Sequence, residues 1–189
     1  IGVARSVDEG LTWKDYKIAI PRGSEDSVLS VASVVDRAKS SSQYGRIWLL
    51  CYSTKIGNPT KTWLNYSDDD GLTWSTPQDI SSLFPDKKNA PGAQSTGITL
   101  SNGTLILPVY YSTIAGSYAK AGFIYKPLSG SWTLGKFAQD GSNENQIIEQ
   151  KNGKLLMNTR MASGGTRGVY ELDNLTSEWI RRTDLEVLQ

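Results

Sequence analysis

The chain has 189 residues, enough for a domain with a hydrophobic core, and a formal net charge of +1 at pH 7. Such a nearly neutral chain has no basic field for nucleic acid, and no apolar run approaches the roughly 20 residues of a membrane helix, so neither partner is expected. The sequence has no histidine and one cysteine, which excludes an intrachain disulfide, Ser-His-Asp or Cys-His catalysis and the common zinc sites, and we expect no metal or cofactor.

Short extended segments separated by polar turns fill the first half of the chain. Their β-branched and aromatic residues lack a helical period, which favours strands. Strands are predicted at 2–6, 17–20, 27–35, 47–52 and 62–66. The stretch 78–85 is compatible with one helical turn. Cys51 lies inside an apolar strand, and we expect its thiol to be buried.

The same organisation continues in the second half. Strands are predicted at 97–100, 104–111, 122–125, 146–149, 155–160 and 168–171. Asn102-Gly103 and Asn152-Gly153 are typical of tight turns between strands. Pro108 cannot donate to a strand ladder, so its strand is predicted to lie at an edge or to carry a bulge.

Two turns, at 6–13 and 67–74, share the pattern Ser-x-Asp-x-Gly-x-Thr-Trp. The Asp carboxylate can accept hydrogen bonds from nearby backbone N–H groups, Gly can take a positive φ, and Trp gives the turn an apolar anchor. We therefore interpret Asp8, Asp69 and Asp70 as turn formers on the periphery of the fold, not as catalysts. Less complete copies of the turn end at Trp132 and Trp179.

Three similar inner segments, at 45–50, 102–107 and 152–157, are each followed by a second strand and a turn. Four short antiparallel strands per unit are typical of a β-propeller blade, so the fold class is predicted to be all-β. Blades take about 40 to 60 residues, so 189 residues supply roughly three to four of them. Propellers usually have about four to eight blades, and we expect residues 1–189 to be part of one propeller domain.

The segment Asn-Glu-Asn-Gln-Ile-Ile-Glu at 143–149, followed by Gly-Lys-Leu-Leu-Met-Asn-Thr-Arg at 153–160, resembles the bacterial and trypanosomal exo-sialidase and trans-sialidase family. Together with the Asp-containing turns, the resemblance runs over nearly the whole chain. It implies a six-bladed propeller that hydrolyses terminal sialic acid from glycans with retention of configuration. A sialylated glycan is then the expected substrate.

The resemblance also implies roles for two residues. Glu144 matches the carboxylate that activates a tyrosine nucleophile, and Arg160 matches the second of three arginines that hold the substrate carboxylate. A tyrosine nucleophile suits this substrate, because the carboxylate on the anomeric carbon of sialic acid would repel a carboxylate nucleophile. Tyrosine needs a neighbouring base at neutral pH.

Other residues match less closely. Asp26 resembles a family Asp that contacts the sugar substituents, although the family has Pro where this chain has Ser27. Tyr52 or Trp63 is an aromatic candidate for lining the pocket. Glu149 lies five positions along the strand from Glu144, so we expect it to point away from the pocket.

Several family residues have no counterpart in the sequence. These are the first arginine and the acid/base Asp, which precede the first Asp-containing turn, and the third arginine and the tyrosine nucleophile, which follow the fourth blade. We therefore expect the isolated chain to be inactive and to need the remainder of the propeller, from the same gene or a second chain. The resemblance favours a secreted or cell-surface location, which the sequence alone leaves unknown.

Two alternatives stay open. One is a non-catalytic, lectin-like or adhesion propeller that binds sialic acid. The other is a structural propeller with no sugar site. The sequence also does not separate hydrolase from transglycosylase activity.

Overall fold

The computed structural model describes residues 1–84, 92, 94–112, 119–138, 141–161 and 164–186. Short 3-10 helices occur at Ser81–Leu83 and Thr183–Leu185. The strands, in chain order, are β1 (Gly2–Arg5), β2 (Lys14–Ile18), β3 (Ser27–Val35), β4 (Ile47–Thr54), β5 (Lys61–Ser67), β6 (Gln78–Asp79), β7 (Ser95–Thr96), β8 (Ile98–Thr99), β9 (Leu105–Ser112), β10 (Ala119–Lys126), β11 (Thr133–Leu134), β12 (Ser142–Glu149), β13 (Leu155–Met161), β14 (Gly168–Leu172) and β15 (Ile180–Arg181).

Over the described ranges, these strands form one two-stranded hairpin and three larger sheets. The hairpin is β1-β2. The first blade is β3 to β6, the second is β8 to β11 and the third is β12 to β15, each with its strands in sequence order. Chain neighbours within each blade pair antiparallel. This meander confirms the predicted four-stranded propeller blades.

The innermost strands run side by side. β7 pairs in parallel with β3, with Ala32 opposite Ser95, so the first and second blades share a short ladder. Gly97, between β7 and β8, permits this close approach, because a Cβ there would lie 2.3 Å from the Ile106 carbonyl oxygen and 2.8 Å from Val34 Cβ. A larger residue at this position would push two blades apart.

The core lies between the blades. Leu50 of β4 and Leu107 of β9 belong to the cluster that joins the first blade to the second. Ile106 of β9 and Met157 of β13 belong to the cluster that joins the second blade to the third. Adjacent residues of β9 thus enter opposite interfaces, as the period of two in a strand requires. The second blade is covered on both faces, which explains why β9 is a continuous apolar run.

Pro108 fits an inner strand because its neighbour β8 is short. β8 pairs with β9 at Leu105 and Ile106 and ends there. The ladder between β9 and β10 continues through the pair of Pro108 and Phe123 without a register shift. Pro108 therefore lies on a stretch of β9 that β8 does not reach, and no bulge is needed at this position.

Each complete Asp-containing turn is held by local hydrogen bonds to its aspartate. The Thr12 backbone N–H and hydroxyl donate to Asp8 at 2.9 and 2.5 Å, and those of Thr73 donate to Asp69 at 2.8 and 2.6 Å. The residue after the aspartate takes a positive φ in both turns, 59° at Glu9 and 56° at Asp70. The turn-forming roles predicted for these aspartates are confirmed.

The second turn gives a prediction about acid stability. Hydrogen bonds from Thr73 lower the pKa of Asp69 from 3.8 to about 2, and Thr12 does the same for Asp8. Between pH values of about 2 and 4, the unfolded chain binds more protons than the folded chain. The stability that these hydrogen bonds contribute is therefore complete above about pH 4 and is lost as the pH falls to about 2. We expect Asp69→Asn to lower the Tm at pH 6 and to have much less effect at pH 2, measured by circular dichroism.

Asp70→Asn is the matched control for this experiment. Asparagine tolerates the positive φ of Asp70, so the control should melt close to the wild type at both pH values. An equal drop in the Tm of the Asp69→Asn variant at pH 2 and pH 6 would contradict the proposed origin of the stability.

The tryptophans of the turns differ in burial, which corrects one expectation. Trp74 donates its indole N–H to the Gly71 carbonyl at 3.1 Å and packs against the cluster around Cys51, whose thiol is buried as predicted. Trp13, expected to be an apolar anchor, is 65% exposed. Its hairpin has two strands, and no further described strand pairs with it, so the indole has little to pack against.

Candidate functional site at one end of the blades

The residues singled out from the sequence lie at one end of the blades. Asp26 directly precedes β3, and Tyr52 lies near the end of β4, opposite Leu29. Glu144 lies near the start of β12 and Arg160 near the end of β13. Antiparallel pairing within a blade brings the start of the inner strand and the end of the next strand to the same edge.

Hydrogen bonds between the blades show that these ends coincide. The Gln94 side chain, just before β7, donates to the Ser30 hydroxyl of β3 at 3.1 Å. The Asn145 side chain, next to Glu144, donates to the Val109 carbonyl of β9 at 3.0 Å. The starts of β3, β7 and β12 therefore lie together, and the Asp-containing turn at 67–74 lies at the other end, where β4 begins.

Glu144 and Arg160 are in direct contact. Arg160 Nη1 donates to Glu144 Oε1 and Oε2 at 3.2 and 3.4 Å. Ser142 pairs with Met161 and Asn145 with Thr159, so two residues of β12 lie opposite Arg160 alone. This register shift is a β-bulge, an irregularity that changes the direction of a side chain at a strand end. The bulge turns Glu144 towards the guanidinium.

The pair is open to solvent. The side chain of Arg160 is 63% exposed and that of Glu144 is 27% exposed. An ion pair this exposed contributes about 0–1 kcal/mol to stability, so folding alone gives little reason for it. A guanidinium that is anchored on one side and accessible on the other can bind an anion, and the carboxylate beside it can accept a proton.

Tyr110, near the end of β9, joins this group, although no sequence motif points to it. Burial raises the pKa of its hydroxyl, and a hydrogen bond with the Ser30 side chain partly offsets that effect. Glu144, Tyr52 and Arg160 are close enough to influence the same pKa electrostatically. Tyr110 therefore stays protonated at neutral pH. No motif in the sequence marks Tyr110, because the residues that surround it come from other blades.

A second arginine lies on the same blade end as the pair. Arg167 directly precedes β14, and its Nε donates to the side-chain oxygen of Asn158. Asn158 is two positions before Arg160, so the two side chains leave β13 on the same face. No motif in the sequence near Arg167 predicts a role for this residue.

Asp26 makes a structural hydrogen bond through one of its two carboxylate oxygens. Its Oδ2 accepts a hydrogen bond from the Ile56 backbone N–H at 2.6 Å, which ties the start of β3 to the loop after β4. The hydroxyl of Ser27 forms a 2.6 Å hydrogen bond with the Thr54 hydroxyl. Asp26 is exposed, and its role in sugar binding stays a prediction.

The two aromatic candidates lie on different faces of the first blade. Tyr52 is near Tyr110, towards the second blade. Trp63 donates its indole N–H to Ser53 at 2.8 Å and packs with the cluster around Cys51, towards the β1-β2 hairpin. Trp63 lines a separate cavity of about 310 Å³ beneath the connection from β2 to β3. Of these two, Tyr52 is the one that lies towards Tyr110.

Glu149 is held at the opposite end of β12. Its carboxylate accepts hydrogen bonds from the backbone N–H and the hydroxyl of Ser101, both at 2.7 Å. Ser101 lies in the turn between β8 and β9, far along the strand from Glu144. Glu149 therefore points away from the candidate site, as expected.

Among the described residues, no group of three or more His, Cys, Asp and Glu side chains is arranged to hold a metal ion. Within the same residues, no helix is long and apolar enough to cross a membrane.

Comparisons with known proteins point in one direction. Residues 1–187 match a family model described as a BNR repeat-like domain. The chain is similar to a sialidase of Clostridium perfringens, at 33% identity over 210 residues that cover 95% of this chain and 52% of that protein. It is also similar to a sialidase of Paraclostridium sordellii, at 28% identity over 200 residues that cover 95% and 49%. The chain thus spans about half the length of these curated relatives.

Solved structures share the fold. The Hadza microbial sialidase Hz136 superposes with a TM-score of 0.81 at 28% identity, covering 96% of this chain and 40% of that one. A Trypanosoma rangeli sialidase in complex with sialic acid superposes with a TM-score of 0.73 at 23% identity, covering 95% and 32%. Because its identity is only 23%, the similarity to the Trypanosoma rangeli structure shows the fold alone.

Proposed function

Because the chain belongs to the BNR repeat-like domain family and its curated relatives are sialidases, we propose that it forms the central blades of a retaining exo-sialidase. Such an enzyme removes terminal sialic acid from glycoconjugates. The observation that carries the proposal is the contact between Glu144 and Arg160, whose side chains approach to 3.2 Å at the edge of the third blade. A guanidinium beside a carboxylate suits an anionic sugar that must be both bound and cleaved.

In this proposal Arg160 binds the substrate carboxylate. Sialic acid carries that carboxylate on its anomeric carbon, and a guanidinium can meet it with two parallel, charge-assisted hydrogen bonds. The large exposed fraction of Arg160 supports this role, because a ligand can reach the guanidinium without unfolding the blade. Glu144 holds the guanidinium in place from the other side.

Glu144 then acts as the base for a tyrosine nucleophile. A neutral tyrosine can approach the anomeric carbon without the repulsion that a carboxylate would meet, but it must lose its proton to attack. A carboxylate can accept about four hydrogen bonds. The contacts with Arg160 Nη1 therefore leave Glu144 able to accept the tyrosine proton.

The nucleophile itself is proposed to come from outside these 189 residues. Tyr110 is close to Glu144, but burial raises the pKa of its hydroxyl and its hydrogen bond is with Ser30, so it is poorly suited to attack. We assign the nucleophilic tyrosine, the acid/base Asp and the other arginines to the remainder of the propeller. That remainder is either part of the same polypeptide or a second chain.

The test compares hydrolysis of 4-methylumbelliferyl N-acetylneuraminic acid by the 189-residue chain and by the full-length protein that contains it. We expect fluorescence release by the full-length protein and none by the chain alone. Proton NMR of the full-length reaction should show the α-anomer of sialic acid as the first product, because two displacements retain configuration.

Each other outcome has a distinct meaning. Turnover by the 189-residue chain alone would contradict the assignment of the nucleophile to the rest of the propeller. Saturable binding of sialic acid without turnover by the full-length protein would favour the lectin-like alternative. Neither binding nor turnover would contradict the proposed function.

A further inference from the structure

A cavity of about 330 Å³ lies between the first and second blades, and the proposed mechanism makes no use of it. Its walls include Trp48 and Leu64 from the first blade and Lys126 and Trp132 from the second. We refer to it as the interblade cavity. Its volume is at the lower end of the range of about 300–1,000 Å³ found for small-molecule sites, which suits a single ring.

The interblade cavity is remote from the Glu144 and Arg160 pair. Lys126 pairs with Leu105 at the start of β9, and Tyr110, which is close to Glu144, lies five positions further along that strand. Five residues of a strand span about 17 Å. Trp48 lies opposite Tyr66, which directly precedes the turn at 67–74. The cavity and the candidate site can therefore be occupied independently.

Lys126 is buried without a partner. It is 8% exposed, and none of the residues that the structure describes forms a hydrogen bond or an ion pair with its ammonium group. Lysine is almost never this buried unless it is paired, because the ammonium group loses its hydration. Lys126 leaves β10 on the same face as Ile124, which belongs to the core cluster between the two blades. Its side chain therefore lines the cavity as an uncompensated positive charge.

The two tryptophans beside Lys126 also carry unused donors. Their rings meet edge to face, with centroids 5.6 Å apart. Among the described residues, neither the Trp48 nor the Trp132 indole N–H has a hydrogen-bond partner, although both atoms are buried. Most buried N–H groups in proteins are paired. What these donors and the ammonium group can bind in common is an acceptor, and the ammonium group favours an anionic one.

The rim of the interblade cavity is polar and holds no second cation among its lining residues. Gln78, Ser82 and Ser131 are exposed there, beside Asp79, whose Oδ1 accepts the Ser81 backbone N–H at 2.9 Å. An ionised carboxylate only accepts hydrogen bonds, so Asp79 favours hydroxyl donors and repels a second negative charge. One cation, aromatic and apolar walls and a neutral polar rim together match a sugar ring with a single carboxylate.

We propose that the interblade cavity is a second ligand site, which binds a monosaccharide acid without cleaving it. Lys126 binds the carboxylate, the apolar C–H groups of the ring pack against Trp48 and Trp132, and the hydroxyls reach the rim. The ligand class includes hexuronic acids and sialic acid. The inference goes beyond the proposed function and does not depend on it, because all the lining residues belong to the first two blades.

The experiment measures binding to the full-length protein by isothermal titration calorimetry. The protein carries Arg160→Ala, which weakens the candidate site, and the probes are D-glucuronic acid, N-acetylneuraminic acid and D-glucose. Glucose replaces only the carboxylate of glucuronic acid. We expect saturable binding of at least one acid and at least tenfold weaker binding of glucose than of glucuronic acid if the latter binds. Adding Lys126→Met should lower the affinity for the bound acid at least tenfold, because a hydrogen bond between charged groups is lost.

Lys126→Met also tests whether the lysine has a structural partner. Methionine fills a similar space without the charge, so the Tm of the ligand-free variant should equal or exceed that of the parent protein. The bound acid should raise the Tm of the parent protein but not that of the variant. With Arg160 intact, Lys126→Met should leave hydrolysis of the 4-methylumbelliferyl sialoside unchanged.

Lys136→Met is the matched control. It removes the same charge from the second blade, but Lys136 is exposed and pairs with Glu178 at 2.6 Å. This control should bind the acid as the parent protein does, and a similar loss in both lysine variants would overturn the proposal. Absence of saturable binding of either acid, unchanged affinity in Lys126→Met, or a marked fall in its ligand-free Tm would also overturn it. Failure of the wild type to cleave the sialoside would overturn the proposed function and leave this site standing.

Discussion

Replacing Glu144 by glutamine is expected to lower the kcat of the full-length protein on an aryl sialoside by about 10²- to 10⁴-fold, the usual contribution of a positioned acid or base. Glutamine keeps the shape of the side chain and can still contact Arg160, which lies 3.2 Å away, but it cannot take a proton from tyrosine. The KM should change little, because Arg160, the residue proposed to bind the substrate carboxylate, remains. Steady-state kinetics at pH 6 to 7 measure both constants.

Glu149→Gln is the matched control for this variant. It makes the same chemical change on the same strand, but its carboxylate bonds to Ser101 at the other end of the blade. We expect kcat within about twofold of the wild type for this control, since surface changes away from a site have small effects. Equal kcat values for the wild type and the Glu144→Gln variant would show that Glu144 is not the base.

Replacing Arg160 by alanine is expected to weaken binding of sialic acid by roughly 10- to 150-fold. This range corresponds to about 1.5–3 kcal/mol for hydrogen bonds between charged groups. Arg160→Lys should recover only part of the affinity, because an ammonium group keeps the charge but lacks the planar fork of guanidinium. Isothermal titration calorimetry of the full-length protein with N-acetylneuraminic acid measures these changes.

Arg181→Ala provides the comparison for the arginine. Arg181 lies on the outer strand β15 and pairs with Glu186 at 2.7 Å, remote from the start of β12. Its removal takes away the same charge from the same blade. Sialic acid affinity should stay close to that of the wild type in this variant. A similar loss in both variants would mean that net charge, rather than a specific contact, attracts the ligand.

The sequence predicts those parts of the fold that depend on interactions between residues close together in the chain. In the Asp69 turn the aspartate, its serine and its threonine lie within seven residues, and the hydrogen bonds of their side chains are internal to the turn. The strands were recognisable for the same reason, because alternation along a single strand reflects the two faces it must cover. The blade pattern then followed from its repetition.

The candidate site was predictable only in part. The resemblance pointed to Glu144 and Arg160, but the sequence gives no sign of the bulge that brings their side chains within 3.2 Å. A bulge depends on the register of two strands, which is a property of the sheet. Asp26 and Tyr52 lie at the same blade end, while their contacts with a sugar stay predictions.

Residues whose role depends on other blades could not be found in this way. Tyr110 becomes notable through Ser30, which is eighty positions earlier in the chain, and through Gly92 beneath its ring. Trp13 was expected to be an apolar anchor for its turn because it repeats the pattern of Trp74. Its exposure depends on the strands that pair with its hairpin, and a local pattern holds no information about them.

The most direct test of this account is a crystal structure of the full-length protein with N-acetylneuraminic acid bound. We predict that a carboxylate oxygen of the sugar lies about 3 Å from the Arg160 guanidinium, with Glu144 still in contact on its other side. A sugar bound at another edge of the blades, with Arg160 contacting Glu144 and no ligand, would contradict it.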